Sequence, residues 1–143
     1  MLNRGEKIIE SHLHKNFPAH LNAEIVLGTI TKLTHALRWL KSTFYYIRCL
    51  QNKVDYGLGD CNTDEKIEAR LKTILVSELN GLMKYNLITM KRDESDIKAT
   101  TVGALMATYY VDFATVKSFI SLEPKRDIKE LLLTICNCIE FEI

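Results

Sequence analysis

The sequence predicts a mainly α-helical fold interrupted once by a small β-hairpin. Two observations carry this. Apolar residues recur at steps of three and four through most of the chain, the period of an amphipathic helix. One stretch, "LITMKRDESDIKAT", abandons that period: short apolar runs flank a polar turn, the pattern of two strands joined by a loop.

The elements follow in order. A first helix is predicted through "NAEIVLGT", with Leu21, Ala23, Ile25, Val26 and Leu27 as its apolar surface and Gly28 and Thr29 ending it. Thr31 or Thr34 caps a second helix. Its stripe is Leu33, Leu37, Leu40, Phe44 and Ile47, with Lys32, Arg38, Lys41 and Arg48 off the stripe. "NKVDYGLGDCN" carries two glycines among Asn and Asp and predicts a loop. Asn62 or Thr63 starts a third helix, with Asp64 and Glu65 where they suit the helix dipole. Ile67, Leu71, Ile74, Leu75, Leu79 and Leu82 form its buried side. The hairpin follows, with Leu87–Met90 and "IKAT" as strands and "RDESD" as the turn. Three helices and a two-stranded hairpin make the plan of a winged helix. Beyond it, Thr100 or Thr101 caps "TVGALMATYY", and Asp112 caps a helix burying Phe113, Val116, Phe119 and Ile120. Pro124 breaks the chain. Asp127 and Glu130 then give a capping-box-like start to a last helix striped by Ile128, Leu131, Leu132, Ile135 and Ile139.

Composition narrows the function. The 143 residues suffice for one domain or two small ones, and a 47% apolar content can build a core. A net charge of +1 gives no bulk attraction for nucleic acid or membrane surfaces. No apolar run approaches the roughly 20 residues of a membrane span, and the charged first residues do not form a secretory signal. Cys49, Cys61, Cys136 and Cys138 lack framework spacing, which predicts reduced thiols in an intracellular, reducing compartment.

Catalytic chemistry is missing from the sequence. "DYGLGD" has two glycines but no lysine and hydroxyl residue after them to hold phosphate and magnesium, so the chain alone is expected to turn over no ATP. His12 and His14, like Cys136 and Cys138, are two residues apart, and on a helix that spacing splays ligands. No metal site, catalytic residue or small-molecule substrate is therefore expected. The aromatic group Trp39, Phe44, Tyr45 and Tyr46 could stack bases, but apolar periodicity explains most of it as core. Lys66 and Arg70 on the third helix, with Lys91, Arg92 and Lys98 in the wing, are the candidate nucleic-acid contacts. Asp64, Glu65, Glu68, Asp93, Glu94 and Asp96 are interleaved with them, the pattern of a solvated face of mixed sign.

Three runs point to a family. Ser11 and Leu13 precede "HLNAEI" (His20–Ile25). "ALRWLKSTFYYIR" follows, and then Asn52, Tyr56 and Gly57. Together with the later "ATTVGALMATYYVDFATVKSF", they resemble large superfamily-two helicases that carry a winged helix followed by a helical ratchet domain. Within that family the chain looks most like the meiotic crossover-promoting DNA helicases; the spliceosomal and signal-cointegrator helicases share the framework. Lys53 stands where the family has proline, and Ala19 where an acid precedes the histidine.

The resemblance implies that residues 1–99 form the winged helix and 100–143 the incomplete beginning of the ratchet domain. It implies a non-catalytic module that packs on the RecA-like motor domains of the same polypeptide and helps form the nucleic-acid channel. His20, Asn22 and Glu24 would face a neighbouring domain, while Leu21, Ile25 and Leu27 would pack inside. ATP and Mg would belong only to a full-length helicase, and this chain itself would carry no cofactor. DNA is the expected substrate and the nucleus the expected location. A stand-alone nucleic-acid-binding or protein-interaction winged helix, or the same segment of an RNA-processing helicase, are the alternatives.

Overall fold

The computed structural model describes residues 9–91, 96–122 and 127–141. A short 3-10 turn, Leu13–Asn16, leads into α1 (Phe17–Val26). Then come α2 (Leu33–Lys41), α3 (Phe44–Gln51) and α4 (Asp64–Lys84). Strands β1 (Ile88–Met90) and β2 (Ile97–Ala99) follow, and then α5 (Thr101–Thr108), α6 (Phe113–Ile120) and α7 (Ile128–Cys136). A 3-10 turn, Ile139–Phe141, ends the described chain. The architecture is mainly helical with one antiparallel hairpin, as the periodicities predict. Among the described residues no helix is long and apolar enough to cross a membrane.

Helix α1 begins at Phe17, earlier than its apolar pattern indicates. Pro18 lies in the first turn, where its missing N–H has no helical partner in any case. The helix ends as predicted. Gly28 sits at φ +79°, its N–H donates to the Ile25 carbonyl, and Thr29 N–H reaches back to Glu24. This is the paired-bond termination that a left-handed glycine allows.

The single second helix of the sequence reading is two helices. Thr43 adopts an extended ψ of 152°, its hydroxyl donates to Leu40 O (2.6 Å), and its oxygen accepts from Tyr46 N (3.3 Å). It closes α2 and caps α3 at once, because a hydroxyl residue can bond its own backbone in a non-helical geometry. The break reorients everything after it. Phe44 and Ile47, predicted core, are 49% and 47% exposed; Tyr45 and Cys49 are buried instead. The wing therefore follows four helices rather than three. Helices α2 and α3 are joined by only Ser42 and Thr43, and α4 is the helix that leads directly into the wing.

Helix α4 matches its prediction closely. Thr63 caps it, accepting from Lys66 N, and Ile67, Leu71, Leu75, Leu79 and Leu82 are buried. Each such side chain contributes about 2 kcal/mol by leaving water. Asn86, at φ +56°, ends the helix: its N–H donates to Met83 O (3.0 Å) and Leu87 N–H to Leu82 O (3.0 Å). Leu87 then drops into the core and β1 begins. Ile88, Thr89 and Met90 pair with Ala99, Lys98 and Ile97. Ile97 N–H also donates to Thr31 O (2.8 Å), so the segment before α2 runs alongside β2.

Helix α1 lies at the centre, packed against α4, β2 and α5. The approach of α5 is unusually close. Asn22 is fully buried and donates its side-chain N–H to Gly103 O (2.8 Å). A Cβ at Gly103 would stand 2.1 Å from Leu87 O and 2.8 Å from Asn22 Oδ1. Thr100 fixes the same junction: its backbone N–H (2.9 Å) and hydroxyl (3.0 Å) both donate to Leu87 O, and its Oγ1 accepts from Gly103 N (3.2 Å).

The C-terminal helices are covered less than predicted. Asp112 caps α6, accepting from Ala114 N (2.7 Å), and Thr115 and Val116 are buried, but Phe119 and Ile120 are exposed. Asp127 occupies the N-cap position of α7 without a side-chain capping bond. The α7 stripe exists but is not covered: Ile128 is 74% exposed, and Leu131 and Leu132 are exposed too. Pro124 lies outside the described residues.

Gly103→Ala is expected to destabilise the chain by about 3 kcal/mol, lowering Tm by about 10 °C. Gly81→Ala, a helix-interior site where a Cβ meets nothing within 4 Å, is expected to stabilise by about 0.5–1 kcal/mol. Thermal melts of both variants check this. Equal Tm for Gly103→Ala and the parent would refute the close-approach account.

Candidate domain-contact surfaces

Three of the quoted motif residues, Arg48, Asn52 and Tyr56, converge on one carboxylate that the sequence reading did not single out. Arg48, on α3, reaches Glu10 through Nη2 to Oε1 and through Nε to Oε2 (3.1 Å). Asn52 Nδ2 donates to Glu10 Oε1 (3.2 Å) and Tyr56 Oη to Oε2 (2.7 Å). Ser11 N–H donates to Tyr56 Oη (2.8 Å). The cluster straps the segment before α1 onto the end of α3. The only sequence signal was a polar spacing of four, from Arg48 to Asn52 to Tyr56, with no hint that its partner lay 38 residues upstream of Arg48. The Arg48 guanidinium first, then the Tyr56 hydroxyl and Asn52 amide, hold the Glu10 carboxyl at about 2, against 4.5 ordinarily.

A second network joins α2, α3 and α4. Glu68 accepts from Lys41 Nζ (2.8 Å) and Tyr46 Oη (3.0 Å). Lys41 foremost, then Tyr46, lowers the Glu68 carboxyl. Tyr45 beneath is buried, and burial pushes both its phenol and the Cys49 thiol up. Neither is suited to act as a nucleophile.

The predicted site residues are scattered. His20 is exposed on α1 and Glu24 half-buried near its end. Asn22 does not point outward: it is spent inside the chain on Gly103. Leu27, expected to pack inside, is 76% exposed beyond the helix end. Lys66 and Arg70 are exposed on α4. Lys91 (3.4 Å) and Lys98 (3.2 Å) both brace Asp96 across the hairpin, and Lys98 first, then Lys91, lowers that carboxyl. Arg92 lies outside the described residues. The four described candidates are divided between α4, with Lys66 and Arg70, and the hairpin, with Lys91 and Lys98.

Apolar surface is exposed instead. Helix α3 turns Phe44, Ile47 and Gln51 outward on one face, while its arginine is held by Glu10. Val102, Leu105, Met106, Tyr109, Phe119 and Ile120 line an open groove between α5 and α6. Tyr110 is 92% exposed beside it, in a left-handed turn at φ +54°.

The Glu10 cluster makes a pH prediction. Its folded carboxyl is depressed below the unfolded value of 4.5, so its stabilisation is fully present above about pH 5 and fades as pH falls from 4.5 towards 2. Glu10→Gln is expected to lower Tm at pH 7, with the gap to the parent closing across that window. A gap independent of pH would contradict the assignment.

The family described as the winged helix-turn-helix domain, of the SNRNP200 type, matches residues 10–92. Among curated relatives, the probable ATP-dependent DNA helicase HFM1 of Xenopus tropicalis is 43% identical over 137 residues, 96% of this chain. The ATP-dependent DNA helicase MER3 homolog of Oryza sativa subsp. japonica is 34% identical over 97% of the chain. The human U5 small nuclear ribonucleoprotein 200 kDa helicase is 32% identical over 94%. The chain spans 10%, 12% and 6% of those proteins' respective lengths. The fold and this similarity agree: the chain belongs to the winged helix-turn-helix family found in SNRNP200-type helicases.

Proposed function

We propose that this chain is a non-catalytic winged-helix module of an ATP-dependent DNA helicase of the meiotic recombination type. It packs on the RecA-like motor domains of the same polypeptide and helps form the nucleic-acid channel. Residues 1–99 are its winged helix and 100–143 the beginning of a ratchet domain. ATP and Mg act on the motor, not here, and the nucleus is the place of work.

The observation that carries this reading is the outer face of α3. A helix that reads duplex needs donors and acceptors for base edges on its outer face. Helix α3 presents Phe44 and Ile47 there instead, and its arginine is tied to Glu10. A protein neighbour fits such a face better than a base pair does. The similar helicases are several-fold longer than this chain, and the rest of such a polypeptide would supply that neighbour.

Phe44→Ser with Ile47→Ser tests it. Both side chains are half exposed, so the isolated chain is expected to lose less than about 1 kcal/mol of stability. Its affinity for the separately produced motor domains, measured by titration calorimetry, is expected to fall by about tenfold or more. Unchanged affinity, or no association of the parent chain, would refute the reading.

A further inference from the structure

The face of α2 opposite the core has a charge pattern that neither the fold nor the motor contact uses. No Asp or Glu occurs between Glu24 and Asp55, while Lys32, Arg38, Lys41, Arg48 and Lys53 lie in that run. Lys41 and Arg48 are bound to Glu68 and Glu10. Among the described residues Lys32 and Arg38 are in no ion pair, and both are exposed. Arg38 lines a surface groove with Thr29, His35, Trp39 and Ser42. His35, Arg38, Trp39 and Ser42 are spaced by three, one and three, which places them on one helix face.

Each group has an orientation that suits a strand of nucleic acid. Phe17 meets the Trp39 indole edge-on at 6.0 Å between centroids, and the half-buried indole also lines the groove. His35 Nδ1 is hydrogen-bonded with Thr31 Oγ1 (3.1 Å), which fixes the ring on this side of α2. Ile97 N–H bonds Thr31 O, so Lys32 lies one residue from the hairpin, whose Lys98 is paired with Asp96.

We propose that this α2 groove binds single-stranded nucleic acid, with Arg38 and Lys32 on phosphates and the Trp39 indole against a base. An arginine beside an aromatic side chain, on a helix that itself carries no Asp or Glu, is the pairing that strand-tracking sites use. Duplex fits less well, because its bases are stacked away from an indole lying along a helix. The proposal uses a different face from the motor contact and stands independently of it.

Trp39 is the only tryptophan of the chain, so its fluorescence reports this site alone. The full 143-residue chain is titrated with a 20-nucleotide single-stranded DNA at low salt, with anisotropy of a labelled strand read in parallel. The strand is expected to quench Trp39. Lys32→Glu with Arg38→Glu is expected to weaken binding by about tenfold or more, to lower the salt slope by about two and to abolish the quench, with the circular dichroism melt unchanged. Lys84→Glu with Lys129→Glu, exposed lysines of α4 and α7, is the control and is expected to change affinity less than threefold. A quench lost in the first variant and kept in the control supports the site. Three results each overturn it: no quench by the parent, equal weakening by both variants, or poly-glutamate of matching length binding as tightly as DNA.

Discussion

The contact on which the rest of the structure depends is the approach of α5 to α1 at Gly103. The backbone of Gly103 lies where a side chain would strike Leu87 O, and Asn22 is buried against it. A buried amide is costly unless bonded, and its Nδ2 is satisfied by Gly103 O. The same Leu87 carbonyl receives both donors of Thr100, which caps α5. Three elements thus meet on a few polar atoms: the central helix, the end of α4 with its strand, and the helix after the wing. That junction holds the hairpin beside α1 and makes α5 continuous with the winged helix rather than an appendage.

With the inner side fixed in this way, the outer surfaces divide by chemistry. Arg48 and Lys41 are spent on structure, one strapping the N-terminal segment and the other joining α2 to α4. The exposed Lys41–Glu68 pair adds little stability by itself. Together the two pairings leave α3 with an apolar outer face and α2 with unpaired cations, so adjacent helices present different partners with different surfaces. The open groove between α5 and α6 and the uncovered stripe of α7 are further exposed apolar surface.

Much of the fold was legible because it rests on local signals. The caps at Thr63, Thr100 and Asp112 each follow from a hydroxyl or carboxylate ahead of an apolar repeat, and the hairpin from a change of period. The split of α2 from α3 was not legible. Leu33, Leu37, Leu40, Phe44 and Ile47 keep helical spacing straight through Ser42 and Thr43, and a periodic pattern cannot reveal a hydroxyl that turns the backbone. For the same reason Phe44 was placed in the core that Tyr45 occupies. Of the candidate contacts, the motif residues were visible as a run, but their role was not. Glu10 is distant in sequence from Arg48, and the inward turn of Asn22 depends on a glycine 81 residues later.

The central claim, that α5 and the winged helix form one cooperative unit through the Gly103 junction, is tested most directly by amide hydrogen exchange across a urea series. The account predicts that amides of α1, α4 and α5 open together, with the same free energy and the same urea dependence. Exchange of α5 at a much lower free energy than α1, with α1 and α4 remaining protected, would contradict it.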